Sequence, residues 1–168
     1  SGNLLDAHTN ALTLTDGKTV TSAAGNVYAT ARQYTAANSE YHTRGSEALL
    51  NIGANDCTFA QWIYTYSYPA VLGGLITKWI GSLSFLFALL PTGFLRLALS
   101  ADGAAAAIDQ TDIIAQIPLN AWSFVLWSYA VGGNAQVYVN NDLRINVASP
   151  AQIFEGTSNL YIGSYSNS

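Results

Sequence analysis

The chain contains a single cysteine, Cys57, no methionine, and only 10% charged residues among its 168. A lone cysteine cannot close an intrachain disulfide or supply half of a Cys-x-x-Cys site, so Cys57 reads as a small buried hydrophobe. Charged residues make up about a quarter of an ordinary soluble domain, and the exposed faces of a helix bundle would need that supply. Helix bundles are therefore disfavoured. Disorder is excluded from the other side: half of the residues are hydrophobic, whereas disorder requires low hydrophobicity and high net charge. The six cations, Lys18, Arg32, Arg44, Lys78, Arg96 and Arg144, are scattered singly against ten acids, for a net charge of -4. Binding to phosphates needs clustered cations, so no nucleic-acid partner is expected. There is no Asn-x-Ser/Thr sequon, hence no expected N-glycan. The chain opens Ser1-Gly2-Asn3 without a basic-then-apolar leader, as a processed or excised chain would.

Reactive constellations are scarce too. His8 and His42 are the two histidines, both in the loop-rich N-terminal part, and zinc needs three or four ligands. No glycine-rich phosphate loop occurs. A glycosidase needs two carboxyl groups facing each other across the scissile bond. This chain has no Glu-x-Asp, and Asp109 and Asp112 stand three apart, on opposite faces of any strand.

What the sequence does have is alternation. Leu95, Leu97 and Leu99 share one side of an extended segment, with Arg96, Ala98 and Ser100 on the other, the period of a half-buried antiparallel strand. Leu83–Leu90 precedes it, and Pro91-Thr92-Gly93 between the two has the residues of a hairpin turn. Residues 79–95 carry no charge, but Pro91 and Gly93 interrupt the run and Lys78 and Arg96 bound it. A spanning helix needs about 20 apolar residues, so no membrane insertion is expected. Further strands are expected at Trp122–Tyr129, with Val125, Trp127 and Tyr129 on one side, and at Gln136–Val139, Leu143–Val147 and Leu160–Ile162. Thr58–Thr65 and Gly74–Trp79 read as a strand pair, and shorter pieces lie at Ala31–Tyr34 and Leu49–Ile52. Asn140-Asn141-Asp142 tolerates the left-handed conformations of a hairpin turn. Ala104–Ala107 is at most one helical turn. These ten or eleven strands predict an all-β, antiparallel two-sheet sandwich in one domain over 1–168, with residues 1–30 a looped approach to the core. Trp62 and Trp122, placed mid-strand, are expected to fill the space between the sheets.

Two stretches carry a family pattern. The first runs from Ala31-Arg32-Gln33-Tyr34 through Leu50-Asn51-Ile52-Gly53 to Phe59-Ala60-Gln61-Trp62; the second joins Trp122-Ser123-Phe124-Val125 to Val137-Tyr138-Val139-Asn140. Over residues 24–163 the chain resembles the laminin-G-like, concanavalin A-like lectin/glucanase domains, which implies a jelly-roll sandwich. It departs from them where acids are common, at Ile80 and Ala130, and lacks the family's usual first and last strands. The resemblance implies a structural Ca²⁺, for which Asp6, Asn38, Glu40 and Asp142 are the candidates by type and loop position; the residues alone call for no cofactor.

For ligands, Tyr64, Tyr66 and Tyr68 alternate and would form a stacking ledge if extended, with Asn140 and Asn141 as polar candidates. The same tyrosines suit a protein contact. Low charge and unprotected strand edges point to protein partners or self-assembly. The resulting expectation is a non-catalytic adhesion, recognition or structural module at a cell or virion surface, with glycan as a possible ligand. The rival is a glycoside hydrolase of the same fold.

Overall fold

The structure, a computed structural model, describes residues 12–164. Thirteen strands follow in chain order: β1 (Thr15–Gly17), β2 (Thr21–Ala24), β3 (Thr30–Gln33), β4 (Tyr41–Arg44), β5 (Cys57–Tyr64), β6 (Gly73–Lys78), β7 (Phe85–Leu89), β8 (Leu95–Leu99), β9 (Ile108–Thr111), β10 (Trp122–Tyr129), β11 (Asn134–Val139), β12 (Asp142–Ala148) and β13 (Leu160–Ile162). They form a seven-stranded sheet, β1-β4-β13-β6-β7-β8-β9, a four-stranded sheet, β12-β11-β10-β5, and a separate two-stranded ribbon, β2-β3. All strand pairings are antiparallel. This is the expected sandwich.

The core lies between the two large sheets. Leu95, Leu97, Leu99, Val125, Val137 and Trp127 are all buried within it. The sheets meet through aromatic rings: Phe85 lies 5.8 Å from Trp127, and Phe59 lies 6.5 Å from Phe87. Such pairs contribute about 0.5–1.5 kcal/mol beyond their buried area.

The β7–β8 hairpin forms as its residues predict. The Gly93 N–H donates to the Leu90 carbonyl at 2.9 Å, and Gly93 takes φ +82, the left-handed residue of a three-residue loop. The outer face of the hairpin is covered as well. Leu86, Ala88 and Ala98 are buried beneath Leu72 and Trp79, so the central strands are closed on both sides rather than half-exposed. Among the described residues no helix is long and apolar enough to cross a membrane.

Several expectations need correction. Thr58–Thr65 and Gly74–Trp79 do not pair: β5 joins β10, while β6 joins β7 and β13. The intervening loop, containing Pro69, carries the chain from one sheet to the other, which lets Phe59 face Phe87. Leu49–Ile52 is not a strand: Leu49 and Leu50 belong to a 3₁₀ turn at Ala48–Leu50, and Asn51 and Ile52 follow it. Ala104–Ala107 is not helical. The Asp102 carboxylate accepts the Ala104 and Ala105 N–H groups, turning the chain into β9, a strand the sequence reading did not anticipate. Nor is the region before residue 30 only a loop, since it supplies β1 and β2.

Candidate ligand-binding face

Strand β10 alternates strictly. Ser123, Val125, Trp127 and Tyr129 point inward and are buried, while Trp122, Phe124, Leu126 and Ser128 are half-buried on the opposite side. Both sets are apolar, yet only one can enter the core. The register places Trp62 opposite Phe124, Tyr64 opposite Trp122, and Tyr138 opposite Leu126. The outward face of the four-stranded sheet is therefore an aromatic surface. Trp62 and Phe124 lie 5.3 Å apart, Tyr64 and Trp122 5.4 Å, and Tyr64 and Tyr66 4.8 Å. Trp62 remains 43% exposed and Tyr66 59%.

This overturns the core assignment of Trp62 and Trp122. In β5 the core-packing residues are Cys57, Phe59 and Ile63, so the period of two turns Trp62 outward. The core tryptophan is Trp127.

Two hollows flank the Trp62–Phe124 pair. One, of about 280 Å³, is lined by Phe124, Leu126, Tyr138 and Asn141. The other, of about 120 Å³, lies between Trp62, Trp122 and the tip of the β2–β3 ribbon, including Asn26, Val27 and Tyr28. Phe124 lines the first and Trp62 the second, so the two hollows lie on either side of one ring contact along the same face.

The polar candidates separate by role. Asn140 and Asn141 both have left-handed backbone, at φ 49 and 76, as a two-residue type I′ hairpin turn requires. The Asn140 side chain accepts the Phe124 N–H at 2.8 Å and so ties the turn to β10. Asn141 instead lines the larger hollow. Of the tyrosines, Tyr64 and Tyr66 stay together on the aromatic side, but Tyr68 departs. Its hydroxyl donates to the Ile117 carbonyl at 2.8 Å, and its ring fills the space where Gly93 has no side chain. The alternation fails because β5 ends at Tyr64 and the chain then crosses between sheets. The ledge predicted from three tyrosines is thus built from two, joined by Trp62, Trp122, Phe124 and Tyr138. The available signal was the run of large apolar residues on both alternating sides of β10.

Of the described calcium candidates, Asn38 and Glu40 lie together and Asp142 apart from them. Asp6 lies outside the described residues. Glu40 precedes β4 in the seven-stranded sheet, where it accepts the Thr35 N–H at 2.6 Å and the Asn38 amide at 3.0 Å. Burial raises the Glu40 pKa, but these hydrogen bonds outweigh it and hold the carboxyl below its ordinary value. Asp142 opens β12 in the other sheet. Calcium takes 6–8 oxygen ligands, and among the described residues no three His, Cys, Asp or Glu side chains gather. Among the described residues, Asn38, Glu40 and Asp142 do not gather into a calcium site.

Other carboxylates are engaged structurally. Asp109 accepts two hydrogen bonds from Arg96, at 2.8 and 2.7 Å. Asp112 is paired with Arg144 at 3.1 Å. Asp16 meets the buried His42 at 2.6 Å, and the other ring nitrogen of His42 lies 2.8 Å from the Tyr34 hydroxyl. Neither hollow is lined by a carboxylate.

A laminin G family model, described as concanavalin A-like lectin/glucanases superfamily, matches residues 35–168. The chain belongs to this superfamily. Several solved structures share its fold. It is similar to the binding domain of Paraclostridial mosquitocidal protein 1, with a TM-score of 0.79 at 15% identity, covering 97% of this chain and 42% of that one. It is also similar to domain 4 of AbnA, a GH43 extracellular arabinanase from Geobacillus stearothermophilus, solved with arabinotriose; there the TM-score is 0.66 at 13% identity, covering 90% and 73%. A third is a botulinum neurotoxin type C structure whose cell entry is described as dependent on two ganglioside molecules, with a TM-score of 0.53 at 11% identity, covering 96% and 36%. At these identities the likeness shows the fold alone, and the chain spans less than half of the mosquitocidal protein's binding domain. No curated protein sequence matches it.

Proposed function

We propose that this superfamily member is a non-catalytic carbohydrate-recognition module acting outside the cell, and that its ligand rests on the outward face of the four-stranded sheet. The observation that carries the reading is the row of rings on the outward face, Trp62 and Tyr66 exposed and Tyr64, Trp122 and Phe124 half-buried, beside two hollows. An aromatic face offers the apolar side of a sugar ring a large, rigid contact, while Asn and Tyr groups serve its hydroxyls. The described neighbours of the same fold, one solved with arabinotriose and another tied to gangliosides, agree with this reading. The absence of a carboxylate from the lining of either hollow favours binding over hydrolysis.

The test is a glycan-array screen of the wild-type protein and of Trp62→Ala, paired with circular dichroism. Specific glycan retention that Trp62→Ala abolishes while its spectrum is unchanged supports the assignment. Retention unaffected by Trp62→Ala places the site elsewhere and refutes it. Release of reducing sugar from a retained glycan, lost on changing one carboxylate, favours the hydrolase instead.

A further inference from the structure

We infer that the ligand of the aromatic face is an extended, electrically neutral polysaccharide, lying along the strip of that face that holds the two hollows. This inference rests on the carbohydrate reading above and adds the charge class and the length of the ligand.

The charge class follows from what lines the strip. No Asp, Glu, Lys, Arg or His borders either hollow. Of the segments that build the strip, residues 57–77 and 113–141 contain no charged residue at all, and the β2–β3 ribbon carries one, Arg32, which donates to the Ser22 hydroxyl at 3.4 Å. A sulfated, uronic or sialylated glycan presents anions whose desolvation must be offset by cations, usually arginine in a two-pronged contact. The cations of the two large sheets are used elsewhere. Arg144 engages Asp112 and the Ala115 carbonyl, Arg96 engages Asp109, Arg44 engages Glu47, and Lys78 is buried against Asn51. The strip instead offers neutral polar groups, at Asn141 and Tyr138 in one hollow and at Asn26 and Thr30 in the other. Hydroxyl groups are matched by such donors and acceptors.

The length follows from the geometry. Trp122 and Leu126 stand four residues apart on β10, about 13 Å along the strand. The Trp62–Phe124 ring contact stands between the two hollows, with one ring lining each. That span exceeds a single sugar ring, so the second hollow would stay empty under a monosaccharide. The β2–β3 ribbon, which pairs as a strand with neither large sheet, walls one end with its exposed Val27 and Tyr28.

The test uses affinity electrophoresis of the full chain through gels containing one polymer each: arabinan, xylan, dextran and mixed-linkage glucan as neutral probes, and heparin, polygalacturonate and polysialic acid as anionic ones. Wild type, Trp62→Ala and Tyr28→Ala are compared at low and high salt, with cosedimentation on phosphatidylcholine vesicles alongside. The expected result is retardation by a neutral polymer. It should change less than about twofold between 0.05 and 0.5 M salt, because no counterions are released. Trp62→Ala should weaken it by about tenfold or more, as truncation of a central aromatic anchor does. The matching monosaccharide should compete only weakly. Retardation by anionic polymers alone, falling steeply with salt, overturns this inference while leaving the carbohydrate reading intact. Full competition by the monosaccharide overturns the extended form. Retardation by no polymer, with or without Trp62-dependent vesicle binding, overturns both readings.

Discussion

Removing the Arg144 guanidinium gives the sharpest test of how the two sheets are held together. Arg144 lies on β12 at the edge of the four-stranded sheet, and Asp112 lies just beyond β9 at the edge of the seven-stranded one. Their side chains are 8% and 0% exposed and meet at 3.1 Å. Asp112 also accepts the Ile114 N–H at 2.8 Å, and Arg144 donates to the Ala115 carbonyl at 3.0 Å. In Arg144→Met the stem still packs, but Asp112 is left a buried carboxylate with one backbone donor. Breaking a buried pair from one side costs about 3–5 kcal/mol. For a domain of this size each kcal/mol lowers Tm by about 2–4 °C, giving a fall of about 6–20 °C. Replacing both partners, as Arg144→Met with Asp112→Leu, removes the stranded charge and should recover most of the loss, because an apolar pair of similar volume is often neutral. The assay is a double-mutant cycle by urea denaturation at pH 7. A single variant costing less than about 1 kcal/mol, with additive effects in the double, would show that the pair does not couple the sheets.

Two further outcomes follow from the same geometry. Burial, opposed by the attraction of Asp16, holds the His42 pKa below its ordinary value of 6.5, and hydrogen bonds hold Glu40 below 4.5. For both groups the unfolded chain binds the proton more readily, so stability present at neutral pH is lost as pH falls, first below about 6.5 for His42 and then below about 4.5 for Glu40. Urea midpoints at pH 7.5, 5.5 and 4.0 should decline in that order, and His42→Gln should flatten the first step; a midpoint that rises on acidification would contradict the assignment. At the β11–β12 turn, Asn141→Gly should be neutral or stabilising, whereas Asn141→Val should cost about 1–2 kcal/mol, the penalty for a left-handed branched residue. Equal stability of the two variants would mean that the turn does not hold Asn141 at positive φ.

The sequence by itself determined the central strands β7, β8 and β10–β12, the turns that join β7 to β8 and β11 to β12, and the alternation of two faces within each strand. Alternation in Leu95–Leu99 and Trp122–Tyr129 is a local property of the chain, and Pro91, Gly93 and the Asn140-Asn141 pair mark turns through their own backbone preferences. Its six singly scattered cations were also the ground for expecting no nucleic-acid partner. Only the tertiary structure decided which alternating set of β10 enters the core, because Val125 and Trp127 are no more apolar than Phe124 and Leu126. That choice depends on which strands pair across the sheet, and pairing sets Trp62 beside Phe124 from a segment sixty residues away. The same long-range contacts took Tyr68 into the interior, separated Asn38 and Glu40 from Asp142, and placed the β2–β3 tip over Trp62. Each is a question of where the chain crosses between layers, and no periodicity within a strand encodes that.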